Sequence, residues 1–194
     1  MQTEVRKKLL TFLSTFDAFT NQEIEEIADK LNAKKYLKGT MLIREGEVCK
    51  ECYFVLKGCL RQYHIDDGIE ITTQFYTEEQ AAVLFSSYVN GTAADTNLIC
   101  NEDSILIVGN LEDESEMYNR YPKLLQVTRQ MMEQSFGKIQ NDYAKFIASS
   151  AEERYLNLLE TRPSLLQRAP LNQIASYLGI TPESLSRIRK RIVR

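Results

Sequence analysis

Residues 171–193, LNQIASYLGITPESLSRIRKRIV, decide how this chain is read. Counted from Leu171, positions four, eight, ten, fifteen and eighteen are Ile174, Leu178, Ile180, Leu185 and Ile188, while position five is Ala175 and position nine is Gly179. Two short helices that cross steeply need this set: aliphatic side chains for a shared core, a small residue at the closest approach, and a glycine for the positive φ of the tight turn. Thr181 is then an N-cap with Pro182 at the first helical position. The outward face of the second helix presents Arg187, Arg189, Lys190, Arg191 and Arg194, cations suited to a phosphate backbone. The pattern is that of a helix-turn-helix lying against duplex DNA. An ordinary helical hairpin with a basic exterior is the bland alternative.

The rest of the chain is charged the other way. Residues 1–150 carry 16 basic and 23 acidic side chains, whereas residues 151–194 carry 8 and 4. Nucleic acid is therefore expected to meet the C-terminal end only. A length of 194 residues suits one large domain or two smaller ones, and a hydrophobic fraction of 43% is enough for a packed core. No apolar run approaches a membrane span, and MQTEVRKKLL leads into no apolar stretch of a secretory signal. Four cysteines without a small-protein framework point to a reducing cytoplasm, with no membrane partner.

Working back from the C-terminus, Ala151 to Glu160 read as an amphipathic helix ended by Arg162-Pro163, with a ten-residue connector before the DNA-reading pair. From Pro122 onward Leu125, Met132, Ile139 and Phe146 recur every seven residues, and Phe136 and Tyr143 form a second line. That stripe predicts a long helix packed along a partner helix, with packing against its own barrel as the alternative. Between Lys35 and about Asn110 the period is that of strands: MLIRE, CYFVL, CLRQYHI, IEITTQFY after a hairpin turn at Asp67-Gly68, and two more around Asn101-Glu102-Asp103. Such short strands argue for an antiparallel barrel or jelly roll, interrupted by an irregular or helical QAAVLFSSYVNG. The stretch up to about Ala33 is helical, with Thr20 and Glu23 forming a capping box.

This order of elements, with REGEVCKECYFVLKGCLRQY in the barrel and IASYLGITPESLSRIRKRI at the end, resembles the Crp/Fnr family of bacterial transcription regulators. The resemblance implies an α+β chain: a cyclic-nucleotide-binding-like jelly roll over residues 1–120, a dimerisation helix over 121–150 and a helix-turn-helix over 151–194. It implies a homodimer on double-stranded DNA, with RNA polymerase as a further partner. Glu183 and Arg187 stand where the family's recognition helix touches base edges, a role their chemistry allows: Arg187 can reach guanine O6 and N7, and Glu183 can accept from a cytosine amino group. An i,i+4 surface ion pair is their alternative role. Thr181 and Ser184 are placed for phosphate or base contacts, while Arg189, Lys190 and Arg191 hold the backbone. Two departures stand out. Pro182 occupies a place where many members carry arginine, and TRPSLLQRAP is too short for the wing hairpin of the better-known members.

A cyclic nucleotide needs backbone N–H groups and a cation for its phosphate. Here Glu79-Gln80 replaces the family's Gly-Glu, and no arginine or lysine occurs between Arg61 and Arg120. cAMP is thus not expected to bind in the family manner, because a buried unpaired phosphodiester costs several kcal/mol. An uncharged or cationic effector near Glu78, Glu79, Ser86, Ser87 and Thr92 is the alternative. Cys49, Cys52 and Cys59 are spaced C-x2-C-x6-C with Cys100 far behind, but two of them fall inside strands and the iron–sulfur members place their trio before the barrel. No metal or cofactor is therefore expected. His64 is the only histidine, and no catalytic constellation is present, so an enzyme is not expected. The rival reading is a ligand-binding or redox-sensing adaptor whose C-terminal helices bind protein rather than DNA.

Overall fold

The computed structural model describes residues 2–192. The chain opens with helices α1 (Gln2–Leu13) and α2 (Asn21–Lys30), the second started by a complete capping box in which the Thr20 side chain accepts from the Glu23 N–H and the Glu23 carboxylate accepts from the Thr20 N–H. Strands β1 (Ala33–Tyr36), β2 (Met41–Ile43), β3 (Cys52–Lys57), β4 (Leu60–Asp66), β5 (Ile69–Tyr76) and β6 (Ala81–Ala82) follow. Helix α3 (Phe85–Asn90) separates them from β7 (Asn97–Cys100) and β8 (Ser104–Gly109). All pairings are antiparallel, in two four-stranded sheets ordered β1-β8-β3-β6 and β2-β7-β4-β5. This is a jelly-roll arrangement.

Alternation along the strands divides the side chains between two layers. Tyr53, Val55, Leu60, Leu98, Leu106 and Val108 fill the space between the sheets together with Tyr88 of α3. Phe54, Leu56, Ile105 and Ile107 face outward from the first sheet and pack under α1 and α2. The expected strand MLIRE stops at Ile43, and β1 begins at Ala33, earlier than the period change suggested.

Helix α4 (Leu111–Arg120) was not anticipated. Its start is chemically plain: the Asn110 side chain accepts from the N–H groups of Glu112 and Asp113, and three acidic residues occupy the first turn. Its apolar content is too low to show a stripe. Helix α5 (Pro122–Ala148) runs 27 residues with proline in its first turn, and α6 (Ala151–Thr161) starts from a Ser150–Glu153 capping box. The short α7 (Leu165–Arg168) occupies the connector before α8 (Leu171–Tyr177) and α9 (Pro182–Ile192). Among the described residues no strand follows β8, so the connector holds a helical turn and no wing hairpin. No described helix is long and apolar enough to cross a membrane.

Candidate nucleic-acid interface

The α8–α9 pair is built as its spacing requires. Ile174, Ala175, Leu178, Leu185 and Ile188 are all buried in one cluster. Gly179 takes φ +71° at the turn, where its N–H donates to the Ser176 carbonyl and the Ile180 N–H donates to the Ala175 carbonyl. Thr181 caps α9, its Oγ1 accepting from the Ser184 N–H at 3.2 Å.

The outer face of α9 is open. Glu183, Arg187, Arg189, Lys190 and Arg191 are exposed, and Ser184 is half-buried. Arg187 turns back one turn and donates to Ser184 Oγ at 3.1 Å, so among the described residues it makes no ion pair with Glu183. The Glu183 carboxyl is nevertheless held below its ordinary value by its own backbone N–H, by the Thr181 hydroxyl and by the Arg187 charge. Arg191 departs from the expected set of backbone cations, since it pairs with Glu152 of α6 at 2.5 Å. Arg194 lies outside the described residues.

A second group of contacts, invisible in the sequence, seats this unit on the outer face of β4 and β5. Ser176 Oγ accepts from the Thr72 N–H at 2.8 Å and donates to the Glu70 carbonyl at 3.3 Å. Tyr177 meets Phe75 edge to face at 5.4 Å, and Arg162 donates to the Phe75 carbonyl at 2.9 Å. Arg168 donates to Glu78 at 2.8 and 3.0 Å, and to Glu102 from Nη2 at 2.6 Å and from Nε at 3.2 and 3.3 Å. Barrel residues Cys59 and Phe75 thus share one core with Ile174 and Leu178. No periodicity announces such contacts, because each joins a residue of the connector or of α8 to a strand or turn far away in the chain.

Residues 33–121 match the model of the cyclic nucleotide-binding domain family. Solved structures with the same arrangement include the global regulator CLP of Xanthomonas campestris, described as responsive to c-di-GMP, with TM-score 0.66 and 14% identity over 87% of this chain and 89% of that one. A CooA mutant from Carboxydothermus hydrogenoformans superposes with TM-score 0.68 at 13% identity, over 94% of this chain and 83% of its own. A regulator of the Crp/Fnr family from Eubacterium rectale gives 0.63 at 20% identity, over 89% and 83%. The chain has the Crp/Fnr fold. No curated protein matches it in sequence.

Within the Crp/Fnr fold, the five proposed effector residues fall into two groups. Glu78 and Glu79 lie at the β5–β6 turn, where Glu78 is engaged by Arg168 and accepts from the Gly58 N–H at 2.9 Å. Ser86 and Ser87 lie in α3 and Thr92 just after it, and the buried Ser87 hydroxyl is used internally: it accepts from the Cys49 N–H at 2.7 Å and donates to the Thr92 carbonyl at 2.6 Å. The cysteines are divided as well. Cys59 lies outside the second sheet and Cys100 inside it, and among the described residues no three His, Cys, Asp or Glu side chains gather as metal ligands. Burial pushes the thiols of Cys52 and Cys59 up to about 12 and that of Cys100 to about 11, so these three stay protonated at neutral pH. His64 is half-buried in β4.

Proposed function

We propose that this protein is a sequence-specific DNA-binding transcription regulator that acts as a cytoplasmic homodimer, with RNA polymerase as a further partner. The observation that carries the reading is the exposed face of α9, where Arg187, Arg189 and Lys190 project over a fully formed helix-turn-helix core. Arg187 and Glu183 read base edges; Arg189 and Lys190 hold phosphates. Thr181 and Ser184 act chiefly on the helix itself, capping it and steering Arg187, with their hydroxyls able to reach phosphate beside the helix start.

Dimerisation through α5 is supported by its apolar side chains. Leu125, Met132, Phe136, Ile139, Tyr143 and Ile147 stand exposed on it, beside a cleft of about 1200 Å³ bounded by Phe54, Tyr118, Met131 and Phe146. A second copy of α5 covers that stripe. Half-sites are then read by two α9 helices about one duplex turn, roughly 34 Å, apart.

The barrel serves as the sensing unit and does not bind cAMP in the family manner. Its interior is packed with Tyr53, Tyr88 and aliphatic side chains, and the segment from 62 to 119 supplies no lysine or arginine to a phosphate. Calorimetric titration with cAMP and cGMP checks this; micromolar binding refutes it. We assign the chain no catalysis.

Selecting sites from a random DNA pool with the purified chain tests the central reading. A recurring motif with two half-sites is expected, bound with an affinity that falls linearly in log salt. No enriched motif, or binding only to proteins and indifferent to salt, overturns it.

A further inference from the structure

Arg154 stands in the first turn of α6, just past the Ser149–Ser150 break that separates α6 from α5. Both break residues are extended (φ −99°, ψ 145° and φ −67°, ψ 164°), so α5 and α6 meet at a joint and do not run on as one helix. The Arg154 guanidinium closes that joint. Nε donates to the carbonyls of Phe146 and Ser149, both at 3.1 Å, and Nη1 donates to the Leu178 carbonyl at 3.0 Å. Its Cζ lies 4.1 Å over the Phe146 ring.

These acceptors end two helices. Phe146 is in the last turn of α5, and Leu178 is the C-cap of α8. The last carbonyls of a helix have no intrahelical partner and form the negative end of its dipole. One cation therefore satisfies both ends and holds them at a set separation. Space is left for it at the turn: a methyl on Gly179 would come within 3.3 Å of Arg154 Nη1. Lysine has neither the fork for several carbonyls nor a flat face for Phe146.

We propose that Arg154 is a positioning residue for DNA recognition: it couples the end of α5 to the turn of the helix-turn-helix and so fixes how far apart the two α9 helices stand in the dimer. The proposal rests on the DNA-binding reading above. It differs from a merely fold-supporting role in what it controls, which is the geometry of a pair of sites and not the chemistry of one.

The test uses the full chain and duplexes taken from the random-pool selection, bearing one half-site, or two half-sites separated by stepwise spacers. Wild type is expected to show a sharp spacer optimum. In Arg154→Ala, affinity for a single half-site stays within about twofold, while affinity for the best paired site falls tenfold or more and the spacer profile flattens. Arg154→Lys falls between the two, and Phe146→Leu, which removes the stacked ring but no carbonyl, shifts the profile the same way by less. An unchanged spacer profile overturns the proposal, and so does an equal loss on single and paired sites. Spin labels at position 190, attached through a ketone-bearing side chain, give a second measurement without DNA. The label-to-label distance distribution across the dimer broadens in Arg154→Ala; an unchanged distribution overturns the coupling. Failure of wild type to select any DNA sequence would instead sink the DNA-binding reading, leaving the distance measurement to decide on Arg154 as the joint.

Discussion

Replacing Phe136 and Ile139 with alanine separates the proposed dimer from a self-sufficient monomer. In the single chain these side chains are 62% and 53% exposed, so little of their burial energy is used within the protomer. Fully burying a side chain of this kind yields about 1.5–3 kcal/mol, which leaves about 1–1.5 kcal/mol each to be gained at an interface. A two-fold axis places each residue at the interface twice. The double variant then loses four such contributions, about 4–6 kcal/mol, or a dimer dissociation constant raised about 10³- to 10⁴-fold. Sedimentation velocity from nanomolar to tens of micromolar protein measures this. Circular dichroism should be unchanged, since neither side chain supports the core. Paired-site DNA affinity should fall with dimer fraction while single half-site binding persists. If the double variant remains as dimeric as wild type at nanomolar concentration, the α5 stripe is not the interface and the reasoning fails.

Three further outcomes follow from particular contacts. A methyl on Gly58 would lie 2.2 Å from Ser104 Oγ and 2.7 Å from its Cα, at φ +116°, so Gly58→Ala should cost about 3–5 kcal/mol in urea unfolding, with strain and overlap adding; a loss under about 1 kcal/mol would refute the close approach. Arg168→Met should strand Glu78 and Glu102 and loosen α8 from β5, seen as faster exchange of the Thr72 amide that donates to Ser176. In wild type the Glu78 carboxyl is lowered: burial, which raises it, is outweighed by Arg168 and the Gly58 N–H. A lowered carboxyl stabilises docking above its unfolded value of about 4.3, so Thr72 protection should fade as pH drops below about 4, and earlier fading in acid for Arg168→Met than for wild type would contradict the assignment.

Much of the fold was legible because it repeats with a period. IEITTQFY occupies β5 end to end, and four of the five aliphatic positions of the C-terminal pair are buried, with Ile180 half-buried at the edge of the same cluster. The stripe of α5 was legible too, except at its end. Phe146 continues the seven-residue line on paper but turns half-buried under Arg154, and Ile147 takes the exposed place. Leu156 of the amphipathic α6 is exposed. What stayed hidden was contact between distant segments. Arg154, Arg162 and Arg168 look like surface charge in the sequence, yet each donates across an element boundary to a carbonyl or carboxylate. Arg61 is similar: it sits mid-strand, 4% exposed, lying over the Tyr63 ring and paired to Glu70. A buried arginine is costly unless paired, so it marks a place where two layers close over it, but nothing local in the sequence tells which layer.

The basic C-terminal end has fewer cations free for DNA than its composition suggests. Of its cations, Arg154, Arg162 and Arg168 are engaged inside the protein and Arg191 is paired with Glu152. With Arg187 assigned to a base edge, Arg189 and Lys190 are the described α9 cations left for phosphate, which makes four contacts in a dimer. Counterion release at about 0.9 per phosphate then predicts a slope of log affinity against log salt near −3.6. Removing Lys190 from both copies should make the slope shallower by about 1.8 and weaken all sequences alike, whereas Arg187→Ala should cost about 1–3 kcal/mol and relax preference at one base pair. Arg191→Ala should leave the slope nearly unchanged, because Glu152 already neutralises that charge. A slope near −7, as if all four basic residues of α9 met phosphate in both copies, would mean that the Arg191–Glu152 pair opens on DNA and that Arg187 also holds a phosphate.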